Sequence, residues 1–173
     1  TTYKERFDIT GAVVSAVDLI KGIGYCAGLD VIDVPGATGN VHTNFDGKAQ
    51  AAIRALQNGA DFVYVHLEAA DEAGHRREVN NKVKAIELID EKIVGPIVKA
   101  MEESQTPFNM LIMPDHPTPL AIKTHTSDPI PYILYNSEKN KNAAPVVYTE
   151  ENAKATGIIT EKAYTLMNRL LEK

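Results

Sequence analysis

The sequence predicts an α/β fold, a three-layer sandwich with a mostly parallel central sheet. Short β-rich runs alternate with helix-period segments along the whole chain. Glycine or proline punctuates most of the changes of period. The polar residues with metal-binding chemistry collect after the predicted strands, where ligands of open parallel sheets sit.

Gly11–Val17 is a β-rich run and reads as the first strand. Ala16–Gly28 then takes on helical spacing and ends in glycine. Leu29–Val34 alternates as a second strand, Pro35–Asn40 is a Pro- and Gly-punctuated loop, and Gly47–Asn58 is an alanine-rich helix stopped at Gly59. Asp61–Glu68 (DFVYVHLE) is the clearest strand. Val79–Glu103 follows as a long helix, with Val79, Val83, Ile86, Ile93, Ile97 and Met101 as its apolar stripe and a kink or division expected at Gly95 and Pro96. Phe108–Met113 and Ile130–Tyr135 read as two more strands, and Glu138–Pro145 as an exposed loop. Thr160–Lys173 reads as a closing amphipathic helix with Thr160 as N-cap.

At 173 residues one compact domain can bury roughly 70% of its unfolded surface without disulfides. Hydrophobic residues at 44% and charged residues at 24% match a soluble globular chain and exclude a disordered or fibrous one. The lone cysteine, Cys26, forms no internal disulfide, which fits a reducing, cytoplasmic setting. A net charge of -5 with no basic cluster argues against nucleic-acid or acidic-membrane partners. The apolar runs are far shorter than the ~18 residues of a membrane span, and the polar start Thr1–Asp8 is no signal peptide.

Five residues of metal-ligand type follow strands or precede the last one: Asp71, His75, Asp115, His116 and His125. In HLEAADEAGH, Asp71 and His75 are four apart, so a helical turn puts both on one face, and Gly74 allows that turn to pack closely. In MPDHPTP, Pro114, Pro117 and Pro119 stiffen the turn carrying Asp115 and His116. His125 lies in KTHTSDPIP, before the last strand. Any one of these residues alone reads as a helix-start aspartate, a turn former or a satisfied histidine. Their recurrence in three separated segments is what argues for a site. Carboxylate with imidazole suits Mn²⁺, Zn²⁺ or a similar ion. Five ligands do not close two shells, so one ion is bound openly or a second ion takes ligands from elsewhere. His66 reads as structural. Lys21, Lys48, Arg76 and Arg77 read first as solvated surface charge, and GATGN as a loop without phosphate-binding spacing.

These segments, with SAVDLIKGIG, VPGATGN, TNFDGKA and HTSDPIP, resemble the cofactor-independent phosphoglycerate mutases of the alkaline phosphatase superfamily, in their archaeal-type branch, over nearly the whole chain. The resemblance implies an incomplete alkaline phosphatase-like fold, with 1–173 as the C-terminal part of a metal-binding, phosphatase-type domain. It implies two divalent ions, Mn²⁺ first, with Zn²⁺, Mg²⁺ or Co²⁺ as alternatives. Asp71, His75 and His125 would hold one ion, and Asp115 with His116 part of a second. The nucleophile would lie outside this chain, since none of Ser15, Ser104, Ser127 and Ser137 follows its pattern, and Lys21 would contact phosphate. The implied reaction is the interconversion of 3-phosphoglycerate and 2-phosphoglycerate in glycolysis, with the isolated chain inactive. Another phosphatase or phosphomutase of that superfamily, and a non-catalytic metal-binding module, are the alternatives. An exposed sheet edge or apolar face that drives self-association is also expected.

Overall fold

The computed structural model describes residues 1–140 and 142–172. They divide into two units: Thr1–Ser104 with Thr118–Thr124, and Gln105–Pro117 with the described part of His125–Lys173.

The first unit opens with a short helix, α1 (Tyr3–Phe7), which the polar composition of the start concealed. Thr2 and Glu5 form a capping box around it, and that Thr-x-x-Glu pattern was its sequence signal. Next come β1 (Gly11–Val14), α2 (Asp18–Cys26), β2 (Asp30–Ile32), α3 (Phe45–Gln57) and β3 (Phe62–Val65). The three strands are parallel in the order β2-β1-β3, with Ala12 opposite Asp30 and Gly11 opposite Phe62. Every residue of the central strand β1 is buried, the pattern of a strand covered on both faces. Right-handed crossovers to β2 on one side of β1 and then to β3 on the other put α2 and α3 on opposite faces. Packing agrees: α2 lies on β1 and β2, and α3 lies on β1, β3 and α6.

After β3 the chain forms α4 (Ala69–His75), α5 (Val79–Ile89), a π-helical turn (Asp90–Val94) and α6 (Gly95–Glu103). The expected long helix is therefore divided one turn ahead of Pro96. In that turn the Gly95 amide donates five residues back to Asp90. Pro96 has no amide to donate and its ring crowds the carbonyl four residues earlier, and a wider turn relieves both problems. The extra residue per turn also rotates the apolar stripe. Ile93 and Ile97 are buried with Ala85, while Val79, Val83 and Ile86 are exposed, so the predicted stripe is not one core face. Leu19, Ile23 and Tyr25 of α2 are exposed as well.

The second unit contains β4 (Asn109–Ile112) and β5 (Ile133–Asn136), which pair antiparallel with Asn109 opposite Asn136. Parallel pairing is thus confined to the first unit's sheet among the described residues. Pro129 and Pro131 cannot donate to a ladder, so β5 begins later than its apolar run. The helices α7 (Glu150–Ala155) and α8 (Leu166–Leu170) follow, with a 3-10 turn at Ala163–Thr165. Thr149 caps α7 by accepting from Asn152, a helix that sequence reading did not anticipate. The expected helix from Thr160 is much shorter than predicted. Thr160 does not cap it: α8 starts at Leu166, and the Thr160 hydroxyl lies 2.9 Å from the Tyr132 hydroxyl instead. The predicted C-terminal residue of that helix, Lys173, lies outside the described residues. Among the described residues, no helix is long and apolar enough to cross a membrane.

Gly24 of α2 meets β1 so closely that a Cβ there would lie 2.4 Å from Val13 Cγ1. Gly24→Ala should therefore destabilise by about 1–3 kcal/mol through overpacking, against the ~1 kcal/mol that alanine gains in helix propensity. Urea unfolding checks this, and a midpoint at or above the original contradicts the packing.

Candidate metal centre

α4 grows directly from the carboxyl end of the sheet. It buries Ala69, Ala73 and Gly74, which leaves Asp71 and His75, four residues apart, on a common, half-buried face. Asp71 Oδ2 lies 3.3 Å from His75 Nε2. The other ring nitrogen, Nδ1, lies 2.9 Å from the Lys123 carbonyl oxygen. A carbonyl only accepts, so Nδ1 carries the hydrogen. In the neutral ring, Nε2 then presents a lone pair toward a carboxylate oxygen that presents another. Two donor atoms facing each other at that distance call for a cation between them, a proton or a metal ion. Imidazole Nε2 with its Nδ1–H held by a carbonyl is the usual form of a metal-ligating histidine.

The segment Thr118–Thr124 is fastened to α4 at several further points. The Thr118 hydroxyl donates to Asp71 Oδ1. Lys82 Nζ donates to the carbonyls of Ala70 (3.1 Å) and Thr118 (3.0 Å). Arg77, at φ 59° just beyond α4, donates from Nε to Leu120 O and from Nη2 to Ala121 O, both at 3.0 Å. Gly74 permits the approach, since a Cβ there would come 2.6 Å from Thr118 O. Arg77 is therefore a specific clamp and not the solvated charge its sequence position implied. Arg76 pairs with Glu72.

In the second unit the Pro-fenced turn after β4 presents Asp115 and His116. Asp115 Oδ1 accepts from the His116 amide at 3.0 Å, and Oδ2 lies 3.3 Å from His116 Nε2. The rings of His116 and His125 stack with centroids 3.6 Å apart. Thr126 N donates to Pro117 O at 3.1 Å, joining the two sides of this unit's turn. The structure thus brings Asp71 to His75 in one unit, and Asp115, His116 and His125 together in the other.

Sequence reasoning missed a buried polar group where β1 and β3 end. Ser15 follows β1, accepts from Val17 N at 3.0 Å and lies 3.2 Å from His66 Nδ1. Lys48, read from sequence as solvated surface charge, is only 1% exposed and donates to the His66 carbonyl at 3.2 Å. Its place one turn into an amphipathic helix that packs on the sheet was the available signal. Burial pushes the Lys48 pKa down, opposed by the Glu68 carboxylate. Burial, with Glu72 and Asp71 adding to it, pushes Glu68 up. Lys21 instead pairs with Asp33 at 2.6 Å beyond the first strand.

The profile of the metalloenzyme superfamily matches residues 1–173. A protein of Geobacter sulfurreducens, named a probable 2,3-bisphosphoglycerate-independent phosphoglycerate mutase, is 49% identical over 99% of this chain. A mutase of that name from Methanosarcina barkeri is 48% identical over 99%. The chain spans 43% of the length of each. The solved structure of the PH0037 protein from Pyrococcus horikoshii superposes with a TM-score of 0.71 at 33% identity, covering 79% of this chain and 40% of that one.

Because burial lowers the Lys48 pKa, the unfolded chain holds more protons than the folded one between the depressed value and the ordinary lysine value of about 10.4. Stability should rise with pH across that window. Lys48→Met should flatten this part of the pH profile of urea unfolding, and an unchanged slope contradicts the assignment.

Proposed function

Because the chain belongs to the metalloenzyme superfamily, we propose that it is the C-terminal part of the metal-binding, phosphatase-type domain of a cofactor-independent phosphoglycerate mutase. In this reading Asp71, His75 and His125 hold one divalent ion. Asp115 and His116 supply part of the shell of a second, with Mn²⁺ the first choice and Zn²⁺, Mg²⁺ or Co²⁺ as alternatives. The observation that carries the reading is the approach of His75 Nε2 to Asp71 Oδ2 at 3.3 Å, with Nδ1 held by the Lys123 carbonyl. Two relatives are named phosphoglycerate mutases, and the reaction in this reading is the interconversion of 3-phosphoglycerate and 2-phosphoglycerate, a glycolytic step expected in the cytoplasm.

When bound, divalent ions supply charge for a transferring phosphoryl group and lower the pKa of an attacking hydroxyl. The chain's own residues prepare that setting. The Lys123 carbonyl keeps the His75 proton on Nδ1. The prolines around Asp115 and His116 restrict the backbone that carries them. Lys21 is the candidate phosphate contact, and it would exchange Asp33 for the substrate's oxygens. Ser15 is unsuited as nucleophile, being 2% exposed and engaged with His66 and Val17. The phosphoryl group would pass to a hydroxyl supplied by the remainder of the enzyme and return to the other hydroxyl of the retained glycerate, which makes the second transfer effectively intramolecular.

Calorimetric titration of the chain with Mn²⁺ tests the reading. Wild-type chain should bind, and Asp71→Ala with His125→Ala should weaken binding by at least about 10-fold. Equal affinity in both contradicts the ligand set. This chain alone should show no mutase turnover, and robust turnover by it contradicts the assignment of the nucleophile to the rest of the enzyme.

A further inference from the structure

We propose that Thr118 is a positioning residue that makes Asp71 a one-oxygen ligand, an inference that rests on the metal-centre reading above. The Thr118 hydroxyl donates to Asp71 Oδ1, whereas Oδ2 is the oxygen 3.3 Å from His75 Nε2. A carboxylate held at one oxygen by a fixed donor does not swing round to chelate a cation with both. Two-oxygen chelation suits the larger, oxygen-seeking Ca²⁺. A single carboxylate oxygen beside imidazole nitrogen suits Mn²⁺, Co²⁺ or Zn²⁺. Thr118 therefore sets both the strength and the selectivity of the site without touching the ion.

The donor itself is well fixed. Thr118 is 5% exposed, so bulk water does not compete for its hydroxyl. Lys82 Nζ donates to the Thr118 carbonyl at 3.0 Å and to the Ala70 carbonyl at 3.1 Å, which ties the residue to the start of α4. Gly74 keeps the contact short, because any side chain there would meet the Thr118 carbonyl. Orientation of a ligating carboxylate by such an outer hydrogen bond commonly changes metal affinity by about 10- to 100-fold.

Thr118→Val keeps the side-chain shape and removes the hydroxyl, whereas Thr118→Ser keeps the hydroxyl and removes the methyl group. Both variants of this chain are titrated with Mn²⁺, Ca²⁺ and Co²⁺, with the visible absorption of bound Co²⁺ recorded at saturation. The valine variant should bind Mn²⁺ about 10-fold more weakly, lose part of its preference over Ca²⁺, and show a changed Co²⁺ spectrum. The serine variant should stay within about twofold of wild type, because the orienting hydrogen bond survives. A residue that mattered only for packing would give the reverse order. Should the valine variant fail to fold, Thr118→Ala against Thr118→Ser isolates the hydroxyl with the same expectation. Wild-type affinity and spectrum in the variants lacking the hydroxyl, or a serine variant as weak as they are, overturns the role of Thr118. Wild-type chain that binds neither Mn²⁺ nor Co²⁺ overturns the metal centre itself, and this inference with it.

Discussion

A backbone carbonyl has no hydrogen to give, and much of the site's chemistry follows from the one at Lys123 lying 2.9 Å from His75 Nδ1. That contact settles which ring nitrogen is protonated, turns Nε2 toward Asp71, and ties the Thr118–Thr124 segment to α4. The supporting bonds from Thr118, Lys82 and Arg77 fasten the same segment to α4, to α5 and to the residues between them. Each has its own weak energy, on the order of 1 kcal/mol, but together they leave the Asp71–His75 pair little freedom. A site that must hold its ligands within a fraction of an ångström benefits from such redundancy.

The sheet sets where this arrangement occurs. β1 is buried on both faces, so polar groups reach its neighbourhood only where strands end. Ser15, His66 and Lys48 meet at the ends of β1 and β3. Glu68 then begins the turn into α4, and its carboxylate favours the charged form of buried Lys48. That ammonium offsets part of the upward push that burial, Glu72 and Asp71 give the Glu68 carboxyl.

Much of this was legible in the sequence. The alternation of periods gave the α/β class and the first three strands. The spacing of Asp71 and His75 put them on one helical face, as found. The misses share a physical cause, which is that local pattern is overridden by what a segment packs against. Val79, Val83 and Ile86 have helical spacing, yet the π turn ahead of Pro96 separates their phase from that of Ile97, and they are exposed while Ile93 and Ile97 are buried. Lys48 is charged, yet α3 carries it against the sheet. Thr160 has the chemistry of a cap, yet Tyr132 takes its hydroxyl. The clamp that Lys82 and Arg77 make on Thr118, Leu120 and Ala121 was invisible for a different reason. Its acceptors are backbone carbonyls some 40 residues away along the chain, and any residue type supplies a carbonyl.

The most direct test of this account is the protonation of His75, observed by long-range proton–nitrogen NMR correlation in the chain labelled with ¹⁵N. The predicted result is a hydrogen on Nδ1 and a shift of Nε2 alone as diamagnetic Zn²⁺ is added. A hydrogen missing from Nδ1, or a ring that does not respond to the metal, would contradict it.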